Sequence, residues 1–313
     1  MHGVLVRICA NPVPQKVFFL NGQTNYQSYW FSDSGGNFYF CNRRFCRFGG
    51  YTQHYTIMIK AIFFDIDGTL VSFRTHAVLP TTLAALAELR RRGIKIFICT
   101  GRHKLLIDRI DTRLFDGIVS MNGQCVSIGG ETIFANAIAP SDIRNAVSFA
   151  ERNNIATIYE SIEFIRMDRV TPLAMQGAEL LALPLPQTEP VDDMHEFPVL
   201  QLIFFGNADD EARLLRLMPS CEATRWTPLL CDVIARGGGK HIGIQHVLDY
   251  YGFTVDECMA FGDGENDISM LRYAGIGVAM GNAHDEVKAA ADYVTATADD
   301  DGICHALRHF GLL

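Results

Sequence analysis

Two aspartates two positions apart, Asp65 and Asp67 in DIDGT, end an apolar run and stand directly before Gly68. In extended backbone that spacing puts both carboxylates on one side. They can then divide the work: one, adjacent to a metal, attacks phosphorus, while the other delivers a proton to the leaving oxygen and later takes one from water. Gly68 lets the chain turn sharply, and the N–H groups beside it can cradle phosphate oxygens. Three more groups suit the same task. Thr100, followed by Gly101 and Arg102, offers those oxygens a hydroxyl, and Lys240, after three glycines, can offset their charge in the transition state. Asp263, Glu265, Asn266 and Asp267 in GDGEND add further acids. Acids crowded together repel unless a cation sits among them, and hard oxygen donors suit Mg2+. Each piece alone has an ordinary explanation, such as a turn, a helix start, a linker or a solvated lysine. Their joint occurrence at the ends of strands favours a single active site.

Something must bring these segments together. From Lys60 onward, apolar runs at 61–66, 94–100, 117–121, 258–263, 275–280 and 292–296 alternate with helical patterns. This predicts an α/β fold with a parallel sheet covered by helices on both faces. One crossover helix is expected over 80–93, with Pro80 at its start, Leu83, Leu86 and Ala87 facing inward, an Arg-rich last turn and Gly93 as the stop. Others are expected over 241–251, 267–273 and 285–291. Open parallel sheets bind ligands at the carboxyl ends of their strands, which is where the acids, Thr100 and Lys240 gather.

The set DIDGT (65–69), TGR (100–102), Lys240 and GDGEND (262–267) resembles the four motifs of the haloacid dehalogenase-like hydrolases. The strings MNG (121–123), VAMGNA (278–283) and DDDG (299–302) are similar to the Cof-type sugar-phosphatase branch of that superfamily. The resemblance spans about residues 58–313. It implies a Rossmann-like core over 58–139 and 235–313, interrupted by a mixed α/β cap over 140–234. It also implies Asp65 as the nucleophile that forms an aspartyl phosphate and Asp67 as general acid and base. Mg2+ would be held by Asp65, the Asp67 backbone carbonyl and Asp263, with Asn266 and Asp267 supporting that shell. Gly68, Thr100, Gly101, Arg102, Asn122, Lys240 and Asn266 would meet phosphate or substrate. Gly264 stands where Asn is frequent in motif four, which leaves every expected metal ligand in place. The local pattern within 140–234 agrees with a cap: helices over 141–152 and 209–218, strands near 156–159, 163–167, 199–205, 221–225 and 232–235, and an interior loop marked by Pro184, Pro186 and Pro190. Such a lid excludes water and can gate turnover. Glu160, Arg166, Arg169 and Trp226 are conceivable substrate contacts there, set against packing and surface ion pairs.

The expected reaction is Mg2+-dependent hydrolysis of small phosphorylated metabolites, sugar phosphates first among them. A phosphosugar mutase on the same scaffold and a non-catalytic phospho-metabolite sensor are the alternatives. Composition fits a globular enzyme: 313 residues, 49% hydrophobic and 20% charged, allow about two domains. A net charge of -8 argues against nucleic acid, and no apolar run is long enough to cross a bilayer. Nine scattered cysteines without a CxxC pair fit a reducing compartment, hence the cytoplasm. Cys41 and Cys46, near His54, lack the second ligand pair that a zinc site needs. Residues 1–57 hold 13 of the 33 aromatics and one acid, Asp33, against five basic residues. They show no sustained apolar period and are read as a non-native or disordered extension ahead of Met58.

Overall fold

The computed structural model describes four short strands within residues 1–57, then residues 58–313 apart from 182–183 and the side chains of Leu181 and Trp226. The chain divides into two units, Met1–Met58 and Ile59–Leu313. In the first, β1 (Ser28–Ser32), β2 (Phe38–Asn42), β3 (Phe45–Phe48) and β4 (Tyr51–Gln53) form an antiparallel sheet in sequence order, where the sequence reading expects no regular elements. The side chains of Cys41, Cys46 and His54 lie outside the described residues.

The second unit opens with β5 (Ala61–Phe64), α1 (Pro80–Arg91), β6 (Lys95–Cys99), β7 (Gly117–Ser120), β8 (Cys125–Ile128) and β9 (Glu131–Ala135). The inserted segment follows: α2 (Pro140–Asn153), β10 (Thr157–Ser161), β11 (Ile165–Met167), α3 (Pro172–Leu181), β12 (Val199–Phe204), α4 (Ala208–Leu217), β13 (Cys221–Thr227) and β14 (Leu230–Ala235). The chain then returns through α5 (Lys240–Tyr251), β15 (Cys258–Gly262), α6 (Ile268–Tyr273), β16 (Ile276–Ala279), α7 (Asp285–Ala290), β17 (Tyr293–Val294) and α8 (Gly302–His309).

The main sheet has eight strands in the order β17-β16-β15-β5-β6-β7-β8-β9. It is parallel from β17 to β7, as the alternation of strands and helices predicts, and antiparallel at β8 and β9. Strand periodicity sorts the core into two layers. Ile62, Phe64, Ile96, Ile98 and Phe261 pack with Leu86 and Leu89 of α1 and Leu307 of α8. Ala61, Phe63, Phe97, Cys99 and Ala260 pack with Ile244 and Leu248 of α5 and Leu271 of α6. Stacked pairs Phe63–Phe97 and Phe64–Phe261, each 5.0 Å between ring centres, tie β5 to its two neighbours.

Three expectations need correction. On α1 the buried stripe is Thr82, Ala85, Leu86 and Leu89; Leu83 and Ala87 face solvent. Only Leu86 of the expected inner residues lies on the i, i+3, i+4, i+7 face that meets the sheet. The β8–β9 hairpin was missed, although Gly129 and Gly130, at φ 60 and 88, make the two-residue turn with both φ positive that antiparallel strands prefer. Helices α3 and α8 were also missed: α3 opens on Pro172 as α1 does on Pro80 but has no glycine after its last turn, and α8 has Gly311 after its end but no proline at its start.

The insertion folds around a five-stranded antiparallel sheet, β11-β10-β12-β14-β13. One face packs Tyr159, Leu202 and Val233 under Ile143 and Phe149 of α2 and Leu214 of α4. The other face carries Ile158 and Leu230 against Ala174 of α3, and also presents Glu160 opposite Gln201 in register. The insertion leaves and rejoins the core at Gln124. Its backbone carbonyl and Oε1 accept from the N–H and Nδ2 of Asn136, and a Cβ on Gly238 would come within 2.1 Å of its Nε2.

Candidate active site

The parallel strands end on one edge, and five of the six contribute to one cluster. Asp65 follows β5, Thr100 follows β6, Asn122 follows β7, Asp263 follows β15 and Asn282 follows β16, while Lys240 is the first residue of α5. The Lys240 ammonium is fully buried and donates to Asp65 Oδ1 at 2.6 Å and to Asp267 Oδ1 at 2.5 Å. Burial alone would lower the Lys240 pKa, but Asp267 and Asp65 outweigh it and hold the lysine protonated. Burial pushes Asp65 well above the usual carboxylate range; Lys240 opposes this and Asp267, Asp263 and Asp67 add to it. Burial, then repulsion from Asp267, pushes Asp263 up to about 7.

Asp67 carries a different partner from the one its motif position suggests. Arg102, expected on phosphate, turns its guanidinium onto Asp67: Nε meets Oδ2 at 2.6 Å and Nη2 meets Oδ1 at 2.7 Å, while Nη1 donates to the Leu106 carbonyl. This two-pronged pair fixes the orientation of the Asp67 carboxylate. Thr100 Oγ1 accepts from the Arg102 N–H at 3.1 Å, which leaves its own proton to donate. Gly68 sits at φ 81, and a Cβ there would lie 2.1 Å from Asp263 Oδ2, so only glycine allows the turn and the acid to coexist. Thr69 donates to Asp263 Oδ1 at 3.0 Å.

The expected phosphate residues Gly101, Asn122 and Asn266 are brought together, but they also engage the inserted segment. Gln201 Nε2 donates to the Gly101 carbonyl at 2.9 Å. Asn122 Nδ2 donates to Gln201 Oε1 at 2.9 Å and Asp232 Oδ2 at 2.8 Å, while its Oδ1 accepts from Asn266 Nδ2. Met121 and Asn122 both hold positive φ, and a Cβ on Gly123 would strike the Gly239 carbonyl at 2.2 Å; the MNG turn thus presses against the start of α5. His103, also buried, accepts the Leu105 N–H at Nδ1, so Nε2 carries the proton and donates to the Ser161 carbonyl of β10 at 2.7 Å. Of the conceivable contacts in the insertion, Glu160 belongs to this junction. Arg166 pairs with Asp193 and Glu189, and Arg169 with Asp168, so both serve packing and surface charge. The Trp226 side chain lies outside the described residues.

Asn282 escaped the sequence reading. Its Nδ2 donates to the Gly68 carbonyl at 2.9 Å and to Asp263 Oδ2 at 3.1 Å, and its Oδ1 accepts from the Ala298 N–H. Its position after a strand end was the available signal. Gln201 and Asp232 gave none beyond a polar residue inside an apolar run.

Asp65, Asp263 and Asp267 present carboxylate oxygens within 4.8 Å of one another, a donor set suited to a hard divalent cation. Both oxygens of Asp267 are committed, Oδ1 to Lys240 and Oδ2 to the N–H groups of Asp263 and Gly264. Asp267 therefore ties Lys240 to the start of the GDGEND turn. Burial first, and then repulsion among the acids, raises the pKa values of Asp65 and Asp263, and a cation among them would favour the ionised forms against both, so the residues fit Mg2+.

Residues 62–307 match the haloacid dehalogenase-like hydrolases. The chain belongs to this family. It is 34% identical over 257 residues to YkrA of Bacillus subtilis (strain 168), assigned as a phosphatase by name only, with 81% of this chain and 98% of that protein covered. Among solved structures, the subclass IIB sugar phosphatase BT4131 is 40% identical, with TM-score 0.76 over 81% of this chain and all of the other. The phosphatase BT1666 of Bacteroides thetaiotaomicron is 38% identical, with TM-score 0.78 over 85% of this chain and all of the other. The core described above is thus the Rossmann-like fold of this family, bearing a sheet-rich cap.

Proposed function

We propose that this chain uses Mg2+ to hydrolyse small phosphorylated metabolites, sugar phosphates in particular, passing the phosphoryl group to Asp65 and then to water. The chain is a phosphatase by family and by its relatives; its route, its metal and its substrates are what we add. The observation that carries the route is the buried Lys240 ammonium joining Asp65 to Asp267 beside Asp263. Residues far apart in sequence are held there in a water-poor site where charge acts strongly.

Asp65 Oδ1 is engaged by Lys240, and the attack on phosphorus is assigned to this carboxylate. Thr100 donates its hydroxyl proton to a phosphoryl oxygen, and the protonated Lys240 offsets charge that grows on those oxygens. Asp67, once it leaves Arg102 and takes up a proton from solvent, hands that proton to the departing alcohol and then accepts one from the attacking water. Mg2+ would be held by Asp65, Asp263 and the Asp67 backbone carbonyl, and would supply charge neutralisation and alignment of the phosphoryl oxygens.

The test is hydrolysis of p-nitrophenyl phosphate by Asp65→Asn. Loss of the nucleophile is expected to lower kcat at least about 1,000-fold, and hydrolysis at the wild-type rate overturns the assignment. A wild type inert with Mg2+ across a panel of phosphometabolites would make the protein a sensor.

The same reading divides the chain into a catalytic core over 58–139 and 235–313 and a cap over 140–234, with residues 1–57 outside both. It places the enzyme in the cytoplasm; among the described residues no helix is long and apolar enough to cross a membrane.

A further inference from the structure

We infer that the cap carries a binding site of its own, between α2 and the end of β11, for a small aliphatic diamine or polyamine, that is, ammonium groups set along a methylene chain.

Strand alternation gives the site its place. Along β10, Ile158 and Glu160 face one way, while Thr157 and Tyr159 face the other, under α2. The Thr157 N–H donates to Asp168 Oδ1 at 2.8 Å. Asp168 and Arg169, Glu151 of α2, and Glu189 and Asp192 of the loop ahead of β12 line a cavity of about 200 Å3. Sites for drug-sized molecules run to roughly 300–1,000 Å3, so this one suits a small ligand. None of its lining residues is assigned to the reaction.

The cavity is short of positive charge. Arg169 meets Asp168 at 3.2 Å and Arg166 meets Glu189 at 3.4 Å, but among the described residues no cation pairs with Glu151 or Asp192. Glu151 lies in the last turn of α2, where the negative end of the helix dipole also favours a cation. Solvated acids alone would not make a site. The hydroxyls beside Asp168 add what they lack: Tyr159 is fully buried and Thr157 is 1% exposed, yet neither Tyr159 Oη nor Thr157 Oγ1 has a hydrogen-bond partner. Burial raises the Tyr159 pKa, Asp168 adds to the rise and Arg169 opposes it, so the hydroxyl is turned toward the wall that these two residues form. A buried hydroxyl without a partner is destabilising, and the N–H groups of an ammonium would meet its lone pairs.

A bare metal ion suits the place less well. Among the described residues only Asp65, Asp263 and Asp267 bring the ligand atoms of three such residues within 4.8 Å of one another, and no three acids of the cavity do. Ammonium groups spaced along a chain can reach separated acids, and Val147, Pro190 and Val191 give the intervening methylenes an apolar wall.

The experiment is isothermal titration calorimetry of the full chain with spermidine, in Mg2+ and at about 0.15 M salt, where long-range surface charge is screened. The wild type is expected to bind one spermidine saturably and butylamine, with its single ammonium, at least about tenfold more weakly. Glu151→Gln is expected to weaken spermidine binding about tenfold, whereas Glu286→Gln, the same loss of charge at an exposed position of α7, leaves it unchanged. Tyr159→Phe is expected to weaken binding about tenfold as well and yet to melt no lower than wild type, because the hydroxyl it removes has no partner. Absence of saturable binding, butylamine binding as tightly as spermidine, or binding that survives Glu151→Gln overturns the site. Equal weakening by Glu151→Gln and Glu286→Gln shows attraction to net charge alone and overturns it too. Glu151 is exposed, so its variant decides the question even where Tyr159→Phe fails to fold. The phosphatase reading stands under every one of these outcomes.

Discussion

Lys240 shows how much one residue holds in place. Its ammonium is enclosed by Asp65 and Asp267, and removing one member of a buried charge group leaves the others uncompensated. Lys240→Met is expected to lower unfolding stability by about 3–5 kcal/mol in urea titrations without metal; an unchanged midpoint would show that the acids are solvated. The positions of Asp65, Thr100 and Asp263 at the sheet edge were legible in the sequence because strand ends are readable from apolar runs, and that of Lys240 because three glycines precede the helix it opens. The partner of Arg102 was not legible. Spacing tells where a side chain starts, not which neighbour a long guanidinium reaches, and here it meets Asp67. Asn282, Gln201 and Asp232 were hidden for a related reason: their contacts join segments up to 214 residues apart.

Elements carry the next two expectations. The buried stripe of α1 makes Leu86 a core residue and leaves Leu83 at the surface, 2% and 40% exposed. Leu86→Ala is expected to cost about 2–5 kcal/mol and Leu83→Ala about 0.5 kcal/mol or less, measured side by side by denaturant unfolding; equal losses would mean the helix packs on another face. Helix limits were readable from Pro80 and Gly93, but a shift of one residue turns a helix face by 100°, so facing is harder to read than extent. The loop after β6 is joined to β10 by His103, whose burial lowers its pKa, with Lys104 adding to that and Glu163 opposing it. The neutral ring is the folded form. The stability it lends is complete above the unfolded value of about 6.5 and is lost as pH falls from there through the lower folded value. Wild type is therefore expected to lose more melting temperature between about pH 7.5 and 5.5 than His103→Asn does, and identical losses would remove His103 from the account.

At the scale of the molecule, a cation that binds only the folded acid cluster must stabilise the whole domain. Adding Mg2+ at about 100 times its Kd is expected to raise unfolding stability by about 2.7 kcal/mol, and EDTA should reverse the gain. A melting temperature indifferent to both would leave the cluster without its metal. The α/β class and the parallel order were legible, since alternating strands and helices leave few topologies open. The antiparallel annex at β8 and β9 was not, because its two short strands interrupt that rhythm.

Gln124 bonds to Asn136 where the insertion departs and lies against Gly238 where it returns. A guest segment that comes and goes through one doorway can be exchanged whole, without rethreading its host. Natural history could therefore fit this hydrolytic engine with a new lid in a single splice, leaving every reactive atom beneath it undisturbed.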